Sequence, residues 1–328
     1  MKSHSYDLRR VDETFLAMRQ KLGAWFCCLP AAIQALVFYD SVFGAELVAQ
    51  GRERTIREAK HPGRPFLEVF LSMEGHPTTL VLGGARGKAA PKVVEFNKLH
   101  RACDALLGIS GTNGGGPGVM GLDSMHLRHA INKVRESSFL APSYEVNGSG
   151  KIAAKSDVVQ VRLGIPGEKP NEWGSADLIT WSQGSLMSRT AMLMALGNVL
   201  AVYAYPGGYG TSEEIFRILV DRVLENTGVN TIVTRGAKIV LVSSMDDTGT
   251  SYYQPFMSQL ARMAKEGMIG ANYPDFIEEV CVEEVGALDR IMSIQDQAAQ
   301  RIYGFSFVEE WERLNSAKLI PTARELVR

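Results

Sequence analysis

Asn198 to Tyr205 (NVLAVYAY) runs directly into Pro206-Gly207-Gly208-Tyr209-Gly210-Thr211-Ser212-Glu213-Glu214, and the apolar-periodic stretch Ile215 to Leu224 follows. An apolar run, a glycine-rich turn and an amphipathic helix in that order are the pieces of one strand-turn-helix unit. The first N–H groups of such a helix have no acceptor within it, and its aligned peptide dipoles favour negative charge, so the turn is a cradle for a phosphate. No lysine follows the glycines, and the spacing is not GxGxxG, so neither familiar nucleotide fingerprint is present here. Thr211 and Glu214 also fit a capping box, which would begin the helix near Thr211 and place Glu214 in its first turn. A capping box needs no glycines, whereas close approach of a ligand to backbone does.

Working outward, a second glycine cluster, Thr112-Asn113-Gly114-Gly115-Gly116-Pro117-Gly118-Val119-Met120-Gly121, also precedes a helix-like segment, with Pro117 placed near the first turn where proline is favoured. Two such turns predict two walls of one crevice, at the carboxyl ends of parallel strands. Between them, Gly184 to Thr190 opens another helix and carries Arg189, whose planar fork of donors suits a phosphate or a ribose. From Thr78 onward short aliphatic runs alternate with longer amphipathic ones, the pattern of a mostly parallel α/β sheet. Strands are expected at Thr78–Leu82, Asp157–Ile165, Asp177–Trp181, Val199–Tyr205, Lys238–Ser243 and Ile277–Val282, with a weaker one around Leu107–Gly111; helices are expected to begin near Pro91, Gly118, Gln183, Thr211 and Tyr253. Ser137 to Lys151, rich in Ser, Pro, Asn and Gly, is expected to be a long loop.

The sequence divides into a helical N-terminal extension (1–75), a Rossmann-like nucleotide-binding domain (76–290) and a helical C-terminal tail (291–328). The 328 residues carry 35 Lys plus Arg against 36 Asp plus Glu, and 45% are hydrophobic, which excludes disorder as the main state. A net charge of -1 supplies no global field for a nucleic-acid backbone, so no nucleic-acid partner is expected and any anion must be held locally. The four cysteines show no CxxC spacing, which points to a reducing cytoplasm. Ala24 to Tyr39, interrupted by Pro30 and Gln34, falls short of the roughly 20 residues that span a bilayer, so no membrane partner is expected. His126 and His129 sit three apart without a third ligand nearby, and no lysine stands in a recognisable Schiff-base context, so neither a metal nor a cofactor is expected.

The set Gly114 to Met120, Arg189 and Pro206-Gly207-Gly208-Tyr209-Gly210-Thr211-x-x-Glu214 resembles the Lonely Guy (LOG) family, whose members are often labelled lysine decarboxylases. Val81 to Arg86 looks like that family's first strand and turn, and Ile165-Pro166 through Asn171 looks like its loop before the arginine helix, so the likeness covers residues 76 to 290. The resemblance implies a Rossmann-like fold, usually dimeric or larger, that hydrolyses a nucleoside 5'-monophosphate to free base and ribose 5-phosphate. It puts the essential arginine at Arg189 and the essential glutamate at Glu214. Substrate contacts are expected from Gly207, Gly208, Gly210, Thr211, Gly115, Gly116, Gly118, Met120 and Arg86. Glu214, favoured as an anion by the helix dipole, is expected to have a lowered pKa and to orient water rather than donate a proton. Thr190 stands where the family usually has lysine, which leaves an alternative: a carrier of a nucleotide or phosphorylated cofactor that performs no turnover.

Overall fold

Strand β1 (Pro77–Leu82) shows how the sequence builds the layers: Leu80 and Leu82 enter one apolar cluster and Val81 the other, as the two-residue period of a strand buried on both faces requires. A computed structural model describes residues 64, 66–84, 90–137, 143–145, 151–153, 155–163, 176–182, 186–226 and 236–316. Residues 1–63 of the expected N-terminal helical extension, the loop Ile165–Asn171, and Arg86 lie outside the described residues.

After β1 come α2 (Pro91–Leu106), β2 (Ser110–Asn113), α3 (Val119–Glu136), the short strands β3 (Ser143–Glu145) and β4 (Lys151–Ala153), then β5 (Val158–Leu163) and β6 (Leu178–Ser182). The chain continues through α4 (Leu186–Ala195), β7 (Asn198–Ala204), α5 (Tyr209–Asn226), β8 (Lys238–Ser243), α6 (Gln254–Lys265), β9 (Ile277–Cys281), α7 (Ala287–Tyr303) and α8 (Phe307–Ser316), with α1 (Phe66–Met73) ahead of β1. The main sheet has seven strands in the order β6-β5-β2-β1-β7-β8-β9, and each neighbouring pair is parallel. The chain steps outward from β1 to β6, returns to place β7 against the other edge of β1, and steps outward again. The connections therefore diverge between β1 and β7, and the crevice of an open α/β sheet lies above the carboxyl ends of these two strands.

One helical layer packs α1 (Phe66, Val69, Met73), α4 (Ala191 to Ala195), α5 (Ile215, Ile218) and α6 (Leu260) against the sheet. The other packs α2 (Val93, Phe96), the start of α3 (Val119, Met120) and α7 (Ile291, Ile294) on the opposite face. Each fully buried Val, Leu, Ile, Phe or Met side chain among these contributes about 1.5–3 kcal/mol relative to exposure.

Two sequence expectations need correction. The strand predicted around Leu107–Gly111 is instead Ser110–Asn113, because Leu107 and Gly108 (φ 69) close α2 with bonds to Cys103 and Ala105. Its polar side chains are tolerated in the core because they are bonded: Ser110 Oγ donates to Lys155 O (2.9 Å), Thr112 Oγ1 to Thr79 O (3.2 Å) and Asn113 Nδ2 to Ser124 Oγ (2.8 Å). The loop expected over Ser137 to Lys151 contains β3, which pairs antiparallel with β4 at and just beyond the loop's end.

Beneath the sheet, on the α2 side, Arg101 is fully buried. Its Nε and Nη2 donate to the two oxygens of Asp123 (2.6 and 3.1 Å), and its Nη1 donates to Asp104 and to Thr79 Oγ1. Asn97 links Asp123 to the Tyr205 hydroxyl (2.8 and 3.0 Å), and Gln295 of α7 donates to Asp104 Oδ1 (2.9 Å) and faces His100 Nε2 (3.0 Å). The network ties α2, α3 and α7 to the strand that feeds the glycine turn. Burial pushes the His100 imidazole below its ordinary 6.5, with Asp104 opposing, so His100 is neutral in the folded protein at neutral pH. The unfolded chain then binds the extra proton first as pH falls. Stability should therefore be level with respect to His100 above about pH 6.5 and decline below it, measured as the denaturant midpoint between pH 8 and 5. A midpoint that rises on acidification would contradict a neutral buried imidazole.

Candidate functional site

At the ends of β1 and β7 the two backbones touch. Tyr205 N donates to Leu82 O (2.9 Å) and Gly84 N to Pro206 O (3.0 Å). A Cβ on Gly84 would lie 2.5 Å from Pro206 O and 2.6 Å from Gly207 Cα, both backbone atoms that a side chain cannot push aside cheaply. Gly84→Ala should accordingly displace the turn, costing about 1–3 kcal/mol as an overpacked site does and removing the thermal shift given by a phosphorylated ligand. An unchanged melting temperature and unchanged ligand response would show that the turn is not held this way.

The turn itself leads into α5 two residues earlier than the capping-box spacing predicts. Ser212 N donates to Gly208 O (3.1 Å), so the helix begins at Tyr209, and the N–H groups of Tyr209, Gly210 and Thr211 precede the first intrahelical bond. Thr211 does not cap. Its hydroxyl sits where a Cβ on Gly207 would come within 2.2 Å, whereas Gly208 and Gly210 have open space where a side chain would be. The N–H groups, the dipole and the open approach to Gly208 and Gly210 give this end of α5 the donors and the field that suit an anion.

Glu214, the sixth residue of α5, is only 3% exposed and accepts a bond from Arg189 Nη2 of α4 at 2.6 Å; Arg189 is 6% exposed. The arginine plane rests on the second glycine cluster: a Cβ on Gly114 would fall 2.9 Å from Arg189 Cζ and Nη1. Arg189 Nε is buried there without an acceptor. The structure thus brings Arg189, Glu214 and Gly114 into one contact at the carboxyl end of the sheet. The expected dipole-lowered pKa of Glu214 is corrected. Because the carboxylate is past the first turn and enclosed, burial pushes its pKa above the usual carboxylate value, with the Arg189 guanidinium opposing. A carboxyl raised in this way is better matched to proton transfer near neutrality than an exposed one.

The remaining expected contacts are placed as follows. Gly115 (φ 64) receives the Arg162 side chain, whose Nε lies 2.9 Å from where a Cβ would be, and its N–H donates to Asn113 Oδ1 (2.9 Å). Gly116 is covered by Met120, which belongs to the apolar cluster beneath the loop rather than to the open face. Gly118 (φ 79) precedes α3 as its N-cap. His126 is turned inward with its Nδ1 2.7 Å from Asn97 Oδ1, and His129 is exposed.

Sequence reasoning missed Arg162. Its Nη2 and Nε both face Gln160 Oε1 (2.7 and 3.2 Å), and Gln160 Nε2 donates to Ser124, which also accepts from Asn113. This chain of buried polar groups fixes the loop that Arg189 lies on. The only sequence signal was an arginine, two residues from Gln160, in a strand otherwise of Val and Leu. Among the described residues, no group of His, Cys, Asp and Glu is arranged to hold a metal, and no helix is long and apolar enough to cross a membrane.

A parallel seven-stranded sheet with glycine turns and a buried Arg–Glu pair at its switch point defines a Rossmann-like α/β protein. Residues 158–291, which contain Arg189, the Pro206 turn and Glu214, match the family model described as "possible lysine decarboxylase", a LOG-family domain. No curated protein matches the chain. Among solved structures it is similar to the X-ray structure of the structural-genomics target TM1055 (17% identity, 66% of this chain and 98% of that one, TM-score 0.39). It is similar also to the molybdenum cofactor carrier protein of Chlamydomonas reinhardtii (18% identity, 67% and 98%, TM-score 0.39) and the molybdenum cofactor binding protein of Rippkaea orientalis (15% identity, 67% and 97%, TM-score 0.36).

Proposed function

We propose that the protein hydrolyses the N-glycosidic bond of a nucleoside 5'-monophosphate, releasing the free base and ribose 5-phosphate. The observation that carries this reading is the enclosed Arg189–Glu214 pair, which retains an unsatisfied arginine donor at the switch point of the sheet. The phosphate is held by the N–H groups of Gly208, Tyr209, Gly210 and Thr211 at the start of α5, and Arg189 offers its remaining donors to the sugar-phosphate. Breaking the bond from C1' to the base nitrogen builds positive charge on the ribose, which the Glu214 carboxylate stabilises. Glu214 also takes a proton from the water that attacks C1', the departing base nitrogen takes one from solvent, and Glu214 then returns its own to solvent, so the reaction consumes one water and no net proton. Arg189 keeps Glu214 oriented and, by opposing the effect of burial, available as an anion.

The test is a panel of purine and pyrimidine nucleoside monophosphates incubated with purified full-length protein, with the products separated and identified. Release of base together with ribose 5-phosphate supports the proposal. Thermal stabilisation by the nucleotides with no base formed supports the alternative, a carrier of nucleotides or phosphorylated cofactors.

A further inference from the structure

The carbonyls that lead the chain into α5 are bonded one after another. Tyr205 O accepts from the Tyr253 hydroxyl (2.7 Å), Pro206 O from Gly84 N (3.0 Å), Gly207 O from the Tyr252 hydroxyl (2.6 Å) and Gly208 O from Ser212 N (3.1 Å). The Gly84 and Ser212 bonds are made by backbone. The other two depend on side chains, delivered by consecutive tyrosines of the segment between β8 and α6. That segment is held in place. Asp246 Oδ1 accepts from Thr248 N (2.8 Å), Thr248 Oγ1 (2.6 Å) and Thr250 N (3.0 Å), and Met245 bridges to Ser251 across the turn these bonds close. Tyr253 is buried in the core, and the Tyr252 ring meets it edge-on with centroids 4.9 Å apart, so the direction of Tyr252 is set although the residue is 52% exposed.

The peptide that Tyr252 holds is the freest in the turn. It joins Gly207 to Gly208, and with no Cβ on either side it turns over at little steric cost. A trans peptide is planar, so its C=O and N–H point in opposite directions. With Gly207 O on the Tyr252 hydroxyl, Gly208 N–H points away from Tyr252. Turned over, the same peptide would aim a carbonyl oxygen where the N–H had been, and a carbonyl repels an anion. Water can replace a half-exposed hydroxyl on Gly207 O, so the bond adds little to folding stability, and what it supplies is orientation. Tyr253 differs in both respects: its bond is buried, and the peptide it holds runs into Pro206, which has no N–H to aim.

We propose that Tyr252 is a positioning residue for phosphate recognition, holding the Gly207–Gly208 peptide so that Gly208 N–H faces the anion at the start of α5. This rests on the phosphate placement given above and holds for a hydrolase and a carrier alike, so its test needs no turnover. Ribose 5-phosphate and inorganic phosphate are each titrated into the full-length wild type, Tyr252→Phe and Tyr253→Phe, with affinity read by calorimetry and the Gly208 amide followed by NMR. Tyr252→Phe keeps the ring and its packing, so the ligand-free protein melts near wild type while its Gly208 amide signal moves. Both ligands then bind about tenfold more weakly, as loss of one aligned hydrogen bond to a charged group gives. Tyr253→Phe leaves a buried carbonyl without its donor, so it melts lower, yet it binds both ligands within about twofold of wild type. Wild-type affinity in Tyr252→Phe would overturn the proposal. Weak binding with an unmoved Gly208 amide would do so too, since the hydroxyl would then be touching the ligand itself. An equal loss in Tyr253→Phe would reduce the effect to general loosening, and a wild type that binds neither ligand would remove the site. Failure of the nucleosidase reading looks different: ribose 5-phosphate binds with the stated dependence on Tyr252 while no nucleoside monophosphate releases its base.

Discussion

Glu214→Ala should reduce release of base from a nucleoside monophosphate by about two orders of magnitude or more, the loss that follows removal of a group stabilising charge only in the transition state. The same change leaves Arg189, 6% exposed, without its partner, and breaking a buried ion pair from one side costs about 3–5 kcal/mol of stability. The two effects separate with Glu214→Gln, which keeps an acceptor within 2.6 Å of Arg189 Nη2 but cannot become an anion. The amide variant should melt near wild type and still fail to release base. A Glu214→Gln protein with full activity would remove the carboxylate from the chemistry. An inactive Glu214→Ala whose activity returned in full with Gln would make the residue a structural prop.

Arg189→Ala should be comparably severe, by a different route. It removes the donors offered to the sugar-phosphate, opens a hole against Gly114, and leaves Glu214 enclosed with nothing to oppose the burial that raises its pKa. Glu214 should then be protonated at neutral pH, so activity falls about a hundredfold or more and nucleotide-dependent thermal stabilisation falls with it. Arg189→Lys should rescue little, since an ammonium cannot both reach Glu214 and lie flat on Gly114 as a guanidinium does. Because the two residues form one unit, the double variant Arg189→Ala, Glu214→Ala should be no slower than the worse single variant and less destabilised than the two stability losses added together. Strictly additive losses in stability would show that the two groups act separately.

The glycine turn and its two neighbours were legible because their signals are local. Pro206 to Glu214 states a strand end, a turn and a helix start within one stretch, and the β-branched runs of β1, β7 and β8 are those of strands buried on both faces. What escaped depends on distant partners. The polar side chains of Ser110–Asn113 are satisfied by Lys155, Thr79 and Ser124, of which Lys155 and Thr79 lie 45 and 33 residues from their partners. Arg162 became visible only when the fold laid it against Gly115. The Glu214 shift has the opposite sign to that expected because a helix starting at Thr211 puts the carboxylate in the first turn, whereas the actual start at Tyr209 carries it about half a turn deeper, past the first turn, where burial is the largest influence. A two-residue error in a helix boundary, minor for the fold, reversed the electrostatics of the site.

The central claim is that Arg189 and Glu214 perform glycosidic hydrolysis rather than only hold a ligand. The most direct measurement is a single-turnover incubation of excess full-length protein with a base-labelled nucleoside monophosphate, wild type beside Glu214→Gln, with the labelled product identified. The account predicts free labelled base and ribose 5-phosphate from wild type and intact nucleotide from Glu214→Gln. Intact nucleotide from both proteins, with each binding the nucleotide equally well, would contradict it.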